Sequence, residues 1–442
     1  MSAVILANFG SDVTVPAVDL LSDADLKANA VASKQMIWFA QDNDILVTPT
    51  PVTHAFLEYT NLLKGGSKVT TLSVSPEPTK RPLPISAKHL EAGSHLCNSL
   101  TLLARHHVSC LKPSIADGVS ACIAELLGDV PVMFPHANGP ASPEATRLLN
   151  DKAKFREFAP PLGVPIARGS ICVCEREMAN AICRLLSDFD HAILKMARHS
   201  GGKGNVIISK GVERSLQGAT RSVSIPDVDL NLIRAALHDI GLVATQMEPV
   251  IVEVYSENES SIGVHFDIGT DRVDLVGVAS IRLNPGYGGT YWSKSLADDL
   301  PKDVMSWCHR LGDYAQQIGY VGPLSVDVVK GKEVGFFACE VNGRHGSFSL
   351  IRAVSTSVGF EPALKDGECV ALSRIAVPID VRFSDLVDLL EKSQLHYKPS
   401  VKRGAIVITD GYDGTGPFDF VSVGRDLREA KEIEYAIVKL AK

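Results

Sequence analysis

Short apolar runs closed by turn residues open the chain. Ala3 to Ala7 is apolar throughout and ends in Asn8-Phe9-Gly10-Ser11-Asp12, and a second such pair is Asp44 to Val47 followed by Thr48-Pro49-Thr50-Pro51. Runs this short, bounded by Gly and Pro, predict buried strands rather than helices. With helical stretches between them, the first third predicts an open α/β layer. Ser75 to Pro84, with four prolines, reads as a surface connection. Pro131 to Pro143 carries four more, and a first domain boundary is placed just after it, giving a domain over 1–148.

From Asn150 the pattern changes to helix and then alternating strands, with glycine-rich punctuation at Gly201-Gly202-Lys203-Gly204, Gly286 to Gly289 and Gly331 to Gly335. Strand-like runs cover His191 to Ala197, Asn205 to Ser209, Val250 to Tyr255, Ile262 to Ile268, Val273 to Ile281, Leu324 to Val329 and Phe336 to Val341. This predicts an α+β domain over 149–375. Beyond it, a helix at Phe383 to Glu391, strands at Gly404 to Thr409 and Phe420 to Val423, and a charged helix from Arg425 predict a small closing subdomain over 376–442.

Composition narrows the function classes. At 442 residues the chain exceeds the ~250 to 300 at which one hydrophobic core stops growing, so two or three domains are expected. The formal net charge is -7, and neither sign gathers into a block of five, which argues against nucleic acid or an anionic membrane as partner. The amino terminus lacks a basic region, and no stretch approaches the ~18 apolar residues of a membrane span. Nine cysteines, none spaced CxxC, fit buried thiols in a reducing compartment. A cytoplasmic protein acting on small polar ligands is the expectation. Symmetric dimers are the commonest closed assembly, so a homodimer is the default.

Four pieces carry chemistry. Ser325-Val326-Asp327 and Cys339-Glu340-Val341-Asn342 lie in two alternating runs joined by a glycine-flanked turn. A connection centred on Glu333 and Val334 puts Asp327 opposite Glu340, with Asn342 on the same face. Two carboxylates and an amide oxygen are hard ligands suited to magnesium, which also takes waters and phosphate oxygens. Lys195 lies inside the apolar run Ala192 to Met196, where an ammonium is costly unless it meets an anion. The loop Ser200 to Asn205 behind it can converge backbone N–H groups on phosphate oxygens. Lys152 stands at a helix start twelve residues before Val164 in Gly163-Val164-Pro165, within reach of a phosphate. Finally, Thr245 to Ile251, with Glu248 and a proline, suggests a crossing between lobes. There the backbone of Glu248, Val250 and Ile251 would meet an adenine edge, and Glu253 or Glu257 the ribose, a choice that spacing leaves open. Each piece alone also has a plain reading, as an exposed hairpin face, a snorkelling lysine, a solvated helix start or a strand end.

The order and spacing of the four pieces together resemble the ATP-grasp superfamily, which includes D-alanine:D-alanine ligase, glutathione synthetase and biotin carboxylase. The resemblance runs from about Asn150 to Ser349. It implies two α+β lobes enclosing ATP, with Lys152, Lys195 and the loop Gly201, Gly202, Lys203 and Gly204 on the phosphates. It also implies Asp327, Glu340 and Asn342 as ligands of magnesium, or of manganese in its place. Many members carry arginine two residues before the aspartate, where this chain has Ser325. Arg344 or Arg282 would then steady the transferring phosphoryl group. A narrower resemblance rests on Gly319-Tyr320-Val321-Gly322-Pro323, Asn284 to Trp292 and Glu340-Val341-Asn342-Gly343-Arg344. It is to the pheganomycin-type peptide ligases, which carry an extra domain ahead of the ATP-grasp region and a short C-terminal piece.

These resemblances imply a ligase that activates a carboxylic acid as an acyl phosphate and couples it to an amine, releasing ADP and phosphate. Its substrates would be amino acids or small peptides in natural-product biosynthesis. The same residues also suit an acid–thiol ligase or a small-molecule kinase, and a non-catalytic ATP sensor would need less than the full metal set.

Overall fold

The computed structural model of the chain describes residues 2–15, 18, 21–75, 77, 81–103, 108–199, 201–202, 204–211, 216–332, 334–377, 379 and 381–440. Lys203, Ser200 and Glu333, and Pro76, Pro78, Thr79 and Lys80 of the proline-rich connection, lie outside the described residues. Among the described residues the strands form three sheets.

The first sheet is parallel and contains β1 (Ser2–Leu6), β2 (Ile45–Thr48), β3 (Thr70–Ser73) and β4 (Val108–Pro113) in the order β3-β2-β1-β4. Continuous apolar runs suit it because a parallel sheet is covered on both faces. Val4 and Leu6 turn to a core with Ile45, Val47, Leu100 and Ile123, whereas Ala3 and Ile5 turn to one shared with Trp38, Phe56, Phe360, Ile406 and Val421. Alternate residues of one strand thus tie the start of the chain to its end. A buried ion pair, Lys34 with Asp410 at 2.9 Å, reinforces that tie.

The second sheet contains β5 (Gly169–Cys172), β6 (His191–Met196), β7 (Val206–Lys210), β8 (Arg221–Ile225) and β9 (Val250–Val254), ordered β5-β9-β6-β7-β8. The helices Glu175–Asp188 and Leu230–Ile240 pack on it through Met178, Ile182, Leu185, Ile233 and Leu237.

The third sheet contains β10 (Asn258–Ile268), β11 (Val273–Leu283), β12 (Tyr287–Trp292), β13 (Gly322–Gly331), β14 (Gly335–Gly343), β15 (Val370–Val377), β16 (Gly404–Val407) and β17 (Phe418–Gly424). Its order is β14-β13-β10-β11-β12-β15-β17-β16. The segment expected as a closing subdomain over 376–442 therefore supplies β16 and β17 to the same sheet as β10 to β15. Helix Lys302–Gln317 covers the carboxylate-bearing end through Val304, Trp307, Cys308 and Leu311, together with Leu149 and Phe155.

The chain passes from the second sheet to the third between Val254 and Asn258. Val250 and Ile251, expected at this crossing, lie inside a strand flanked on both sides: Ile251 pairs with Ile171 of β5 and with Lys195 of β6. Their backbone edges are used by the ladder, so the crossing falls at Tyr255, Ser256 and Glu257 instead.

Candidate active site

One cavity of about 980 Å3 opens between the three sheets. Gly201, Gly202, Lys152, Lys195, Glu253, Asp327, Glu340, Asn342 and Arg344 all line it, as do Val254, Tyr255 and Ser256 of the crossing.

The hairpin β13–β14 brings the oxygen donors together as expected, through a feature the spacing does not show. Asp327 pairs with Glu340 and Ser325 with Asn342, yet nearer the turn Val328 pairs with Ala338 and Gly331 with Gly335. Cys339 is the extra residue of a β-bulge. Without it the register near the turn would set Asp327 against Cys339, and Glu340 would move to the opposite face. Asp327 accepts from the Ser325 hydroxyl at 2.8 Å and from the Asn342 amide at 3.3 Å, and Asn342 also donates to Glu340 at 3.2 Å. Ser325, standing where arginine was the alternative, acts as a hydrogen-bond donor to the aspartate.

The two carboxylates differ electrostatically. Burial, and then the Glu340 charge, push Asp327 well above the usual carboxylate range. Burial would do the same to Glu340, but the Lys152 ammonium at 2.7 Å and the Arg344 guanidinium hold it down at about 2. Lys152 also donates to the His199 carbonyl at 2.7 Å, so it bridges the hairpin to the stretch leading into the glycine loop.

Lys195 projects from β6 with 7% of its surface exposed and pairs with Glu253 at 2.5 Å. Burial would lower its pKa, but the Glu253 charge raises it above the ordinary value. Glu253 is a diagonal neighbour on β9, since Ile193 and Lys195 of β6 stand opposite Glu253 and Ile251. Its other oxygen receives Arg156 at 2.5 Å. Both oxygens thus meet cations, and Glu253 borders the cavity beside Lys195. Neither β-strand periodicity nor spacing signals the part played by Arg156, which arrives from the helix Lys152–Phe158. Glu257, the alternative, pairs with Lys332 on the exposed side.

The other expected residues divide. Gly201 and Gly202 have φ of 68° and 70°, backbone that glycine adopts freely, and both border the cavity. Gly204 packs against the His199 ring, where a Cβ would come within 3.0 Å. Glu248 pairs with Arg198, and Pro249 gives its carbonyl to Ala197 at 3.2 Å, so this stretch braces the glycine loop. Arg344 faces Asn150 and the carboxylate pair. Arg282 does not join it: its guanidinium forks onto Glu434 of the helix Leu427–Leu440 at 2.8 and 2.9 Å and donates to Ser373.

The donor set fits magnesium. Among the described residues no group of three or more His, Cys, Asp or Glu is placed to hold a metal ion, so the third ligand would be the Asn342 amide. Two carboxylates and one amide leave coordination positions for waters and phosphate oxygens, as magnesium needs. The Asn342 amide nitrogen donates to both carboxylates, so the three side chains converge on one point.

Sheet topology, hairpin and cavity define the ATP-grasp fold behind a pre-ATP-grasp domain. Residues 33–128 match the model of the Pre ATP-grasp domain, and residues 385–437 match that of the PGM1 C-terminal domain. Among solved structures, the biotin carboxylase domain of 2-oxoglutarate carboxylase from Hydrogenobacter thermophilus, in complex with MgADP, ADP and bicarbonate, aligns over 100% of this chain and 90% of its own. The TM-score is 0.56 at 13% identity. N5-carboxyaminoimidazole ribonucleotide synthetase from Thermus thermophilus aligns over 100% and 98% (TM-score 0.55, 12% identity). Biotin carboxylase from Campylobacter jejuni, in a β-γ-ATP complex, aligns over 100% and 90% (TM-score 0.54, 14% identity). A search of curated protein sequences found no match. Among the described residues no helix is long and apolar enough to cross a membrane.

Proposed function

We propose that the protein is an ATP- and magnesium-dependent ligase that activates a carboxylic acid as an acyl phosphate and joins it to an amine. The observation that carries this reading is the convergence of Asp327, Glu340 and Asn342 with Lys152 and Lys195 in one cavity. A magnesium ion held by the first three would neutralise charge on the phosphates as the γ-phosphoryl group moves.

The chain's own residues do the positioning. Glu253 keeps Lys195 charged and aimed into the cavity, where its ammonium meets phosphate oxygens. Lys152 exchanges Glu340 for a phosphate when nucleotide binds. Gly201 and Gly202 close over the phosphates, and Val254 to Ser256 offer backbone groups to the base. Arg344 orients the acid's carboxylate, because a guanidinium matches two oxygens. That carboxylate attacks the γ-phosphorus and ADP leaves; the amine then attacks the acyl carbon and phosphate leaves. Loop closure keeps water from the intermediate.

The sequence resemblance to peptide ligases points to amino acids or small peptides of natural-product biosynthesis as substrates, in the cytoplasm. A homodimer accords with the reading, the Hydrogenobacter domain being itself a dimer. The test combines ATP, magnesium, hydroxylamine and a matrix of amino acids and small carboxylic acids. Acid-dependent ADP release with trapping of a hydroxamate is expected. ADP release without hydroxamate would make the protein a kinase, and ATP binding without release a sensor.

A further inference from the structure

The cavity extends beyond the residues assigned to the nucleotide. Its volume of about 980 Å3 stands at the top of the ~300 to 1,000 Å3 range of single-ligand pockets. Past Asp327, Glu340 and Arg344 its wall continues through His345 to Leu350 and on into the first domain. There Phe9, Val15, Met36, Phe39, Ile115 and Phe348 give it a largely apolar border, with Asn8, Asn29 and Gln35 among them. Aromatic pairs line this wall, with Phe39 tilted 4.4 Å from the His345 ring and Phe348 stacked 4.1 Å from the His265 ring. Burial drives both histidines down to about 3, so both are neutral.

The charged residues bordering this chamber have partners of their own, Asp25 and Asp413 accepting from the Ser22 and Thr415 hydroxyls. Arg352 bonds Asp267 at 2.6 Å and Glu361 at 3.2 Å, and Lys27 sits 5.4 Å over the Tyr412 ring. Small side chains keep the chamber roomy. Ala24 and Ala28, one turn apart on the exposed side of the helix Asp23–Lys34, both border it.

Resting on the ligase reading, we infer that the acid substrate carries a branched aliphatic or aromatic body. Its carboxylate lies at Arg344 and the body fills the chamber between the helix Asp23–Lys34 and the helix Ser347–Ser357. Phe9 and Ala28 set the size limit. Removing such a body from water contributes about 10- to 100-fold in selectivity over an acid that lacks it.

Hydroxylamine as the amine lets the acid alone vary. We expect kcat/KM for hydroxamate formation to favour phenylalanine and 3-phenylpropionate over glycine and acetate by about 10- to 100-fold. Ala28→Phe adds a ring at an exposed helix position and should lower the phenylalanine-to-glycine ratio about tenfold or more. Phe9→Ala should raise the ratio of tryptophan to phenylalanine. Equal use of large and small acids by the natural protein overturns the inference, as does an Ala28→Phe variant that lowers both or neither. If no acid releases ADP, the ligase reading is what fails, and calorimetric titration in the presence of MgADP decides the chamber. Phenylalanine binding weakened by Ala28→Phe upholds it, and the absence of phenylalanine binding overturns it.

Discussion

Replacing Glu253 with glutamine is the most searching perturbation, because one buried carboxylate there answers two cations. Glu253 is 5% exposed and receives Lys195 and Arg156 at 2.5 Å each. Glutamine keeps the shape and removes the charge. Arg156 retains the Ala167 carbonyl at 3.0 Å, whereas Lys195 loses its ion-pair partner inside a sheet. Breaking a buried pair costs about 3 to 5 kcal/mol, a large share of the roughly 5 to 15 kcal/mol that holds a protein folded. Urea unfolding followed by circular dichroism should show a loss of about 3 kcal/mol or more. ATP affinity should fall roughly tenfold, the effect of about 1.4 kcal/mol, as Lys195 loses its direction. Lys195→Met leaves Glu253 with Arg156 and should cost less. The double variant should be more stable than the sum of the two losses predicts, by about 0.5 to 3 kcal/mol. A Glu253→Gln protein within about 1 kcal/mol of the natural one, with unchanged ATP affinity, would refute the argument that this carboxylate holds the lysine.

Three further outcomes follow from the same geometry. Glu340→Ala should abolish acid-dependent ADP formation while circular dichroism stays unchanged; full turnover would remove the metal assignment. Lys34→Met strands the buried Asp410, leaving it the Thr53 N–H at 2.8 Å, and should cost about 3 kcal/mol or more in urea unfolding. Burial raises Asp419 to about 6, partly countered by the Ala376 N–H. Its protonated form is therefore the one the fold favours, and its contribution is full at low pH and lost as pH rises through 6. Relative to Asp419→Asn, the natural protein should gain about 1.4 kcal/mol from pH 7 to pH 5, and parallel stability profiles would contradict this.

Much of the site is legible along the chain because its parts are local. A strand lysine before a glycine loop, a helix-start lysine and a hairpin of alternating residues are each visible in period and spacing, and their order together carries the resemblance. The places of Glu253, Arg282 and the crossing are not local. Glu253 looks like any strand glutamate until Arg156 and Lys195 reach it from two other elements. Arg282 has the right charge, but Glu434, far along the chain, takes its guanidinium. The proline at 249 suggests a crossing, yet β9 lies between β5 and β6 and carries the chain on to Tyr255 before it leaves the sheet.

The sequence by itself determined the kinds of element and set out two lysines and three oxygen donors as candidates, because periodicity and short spacings record neighbours along the backbone and their order carries the family resemblance. Only the tertiary structure decided how the hairpin reaches the pairing of its two carboxylates. The bulge at Cys339 sets Asp327 against Glu340, and β16 and β17 join the sheet that holds them. The first domain lends its apolar wall to the cavity. Those outcomes depend on register and long-range packing, where a shift of one residue reverses a face and no local pattern carries the information.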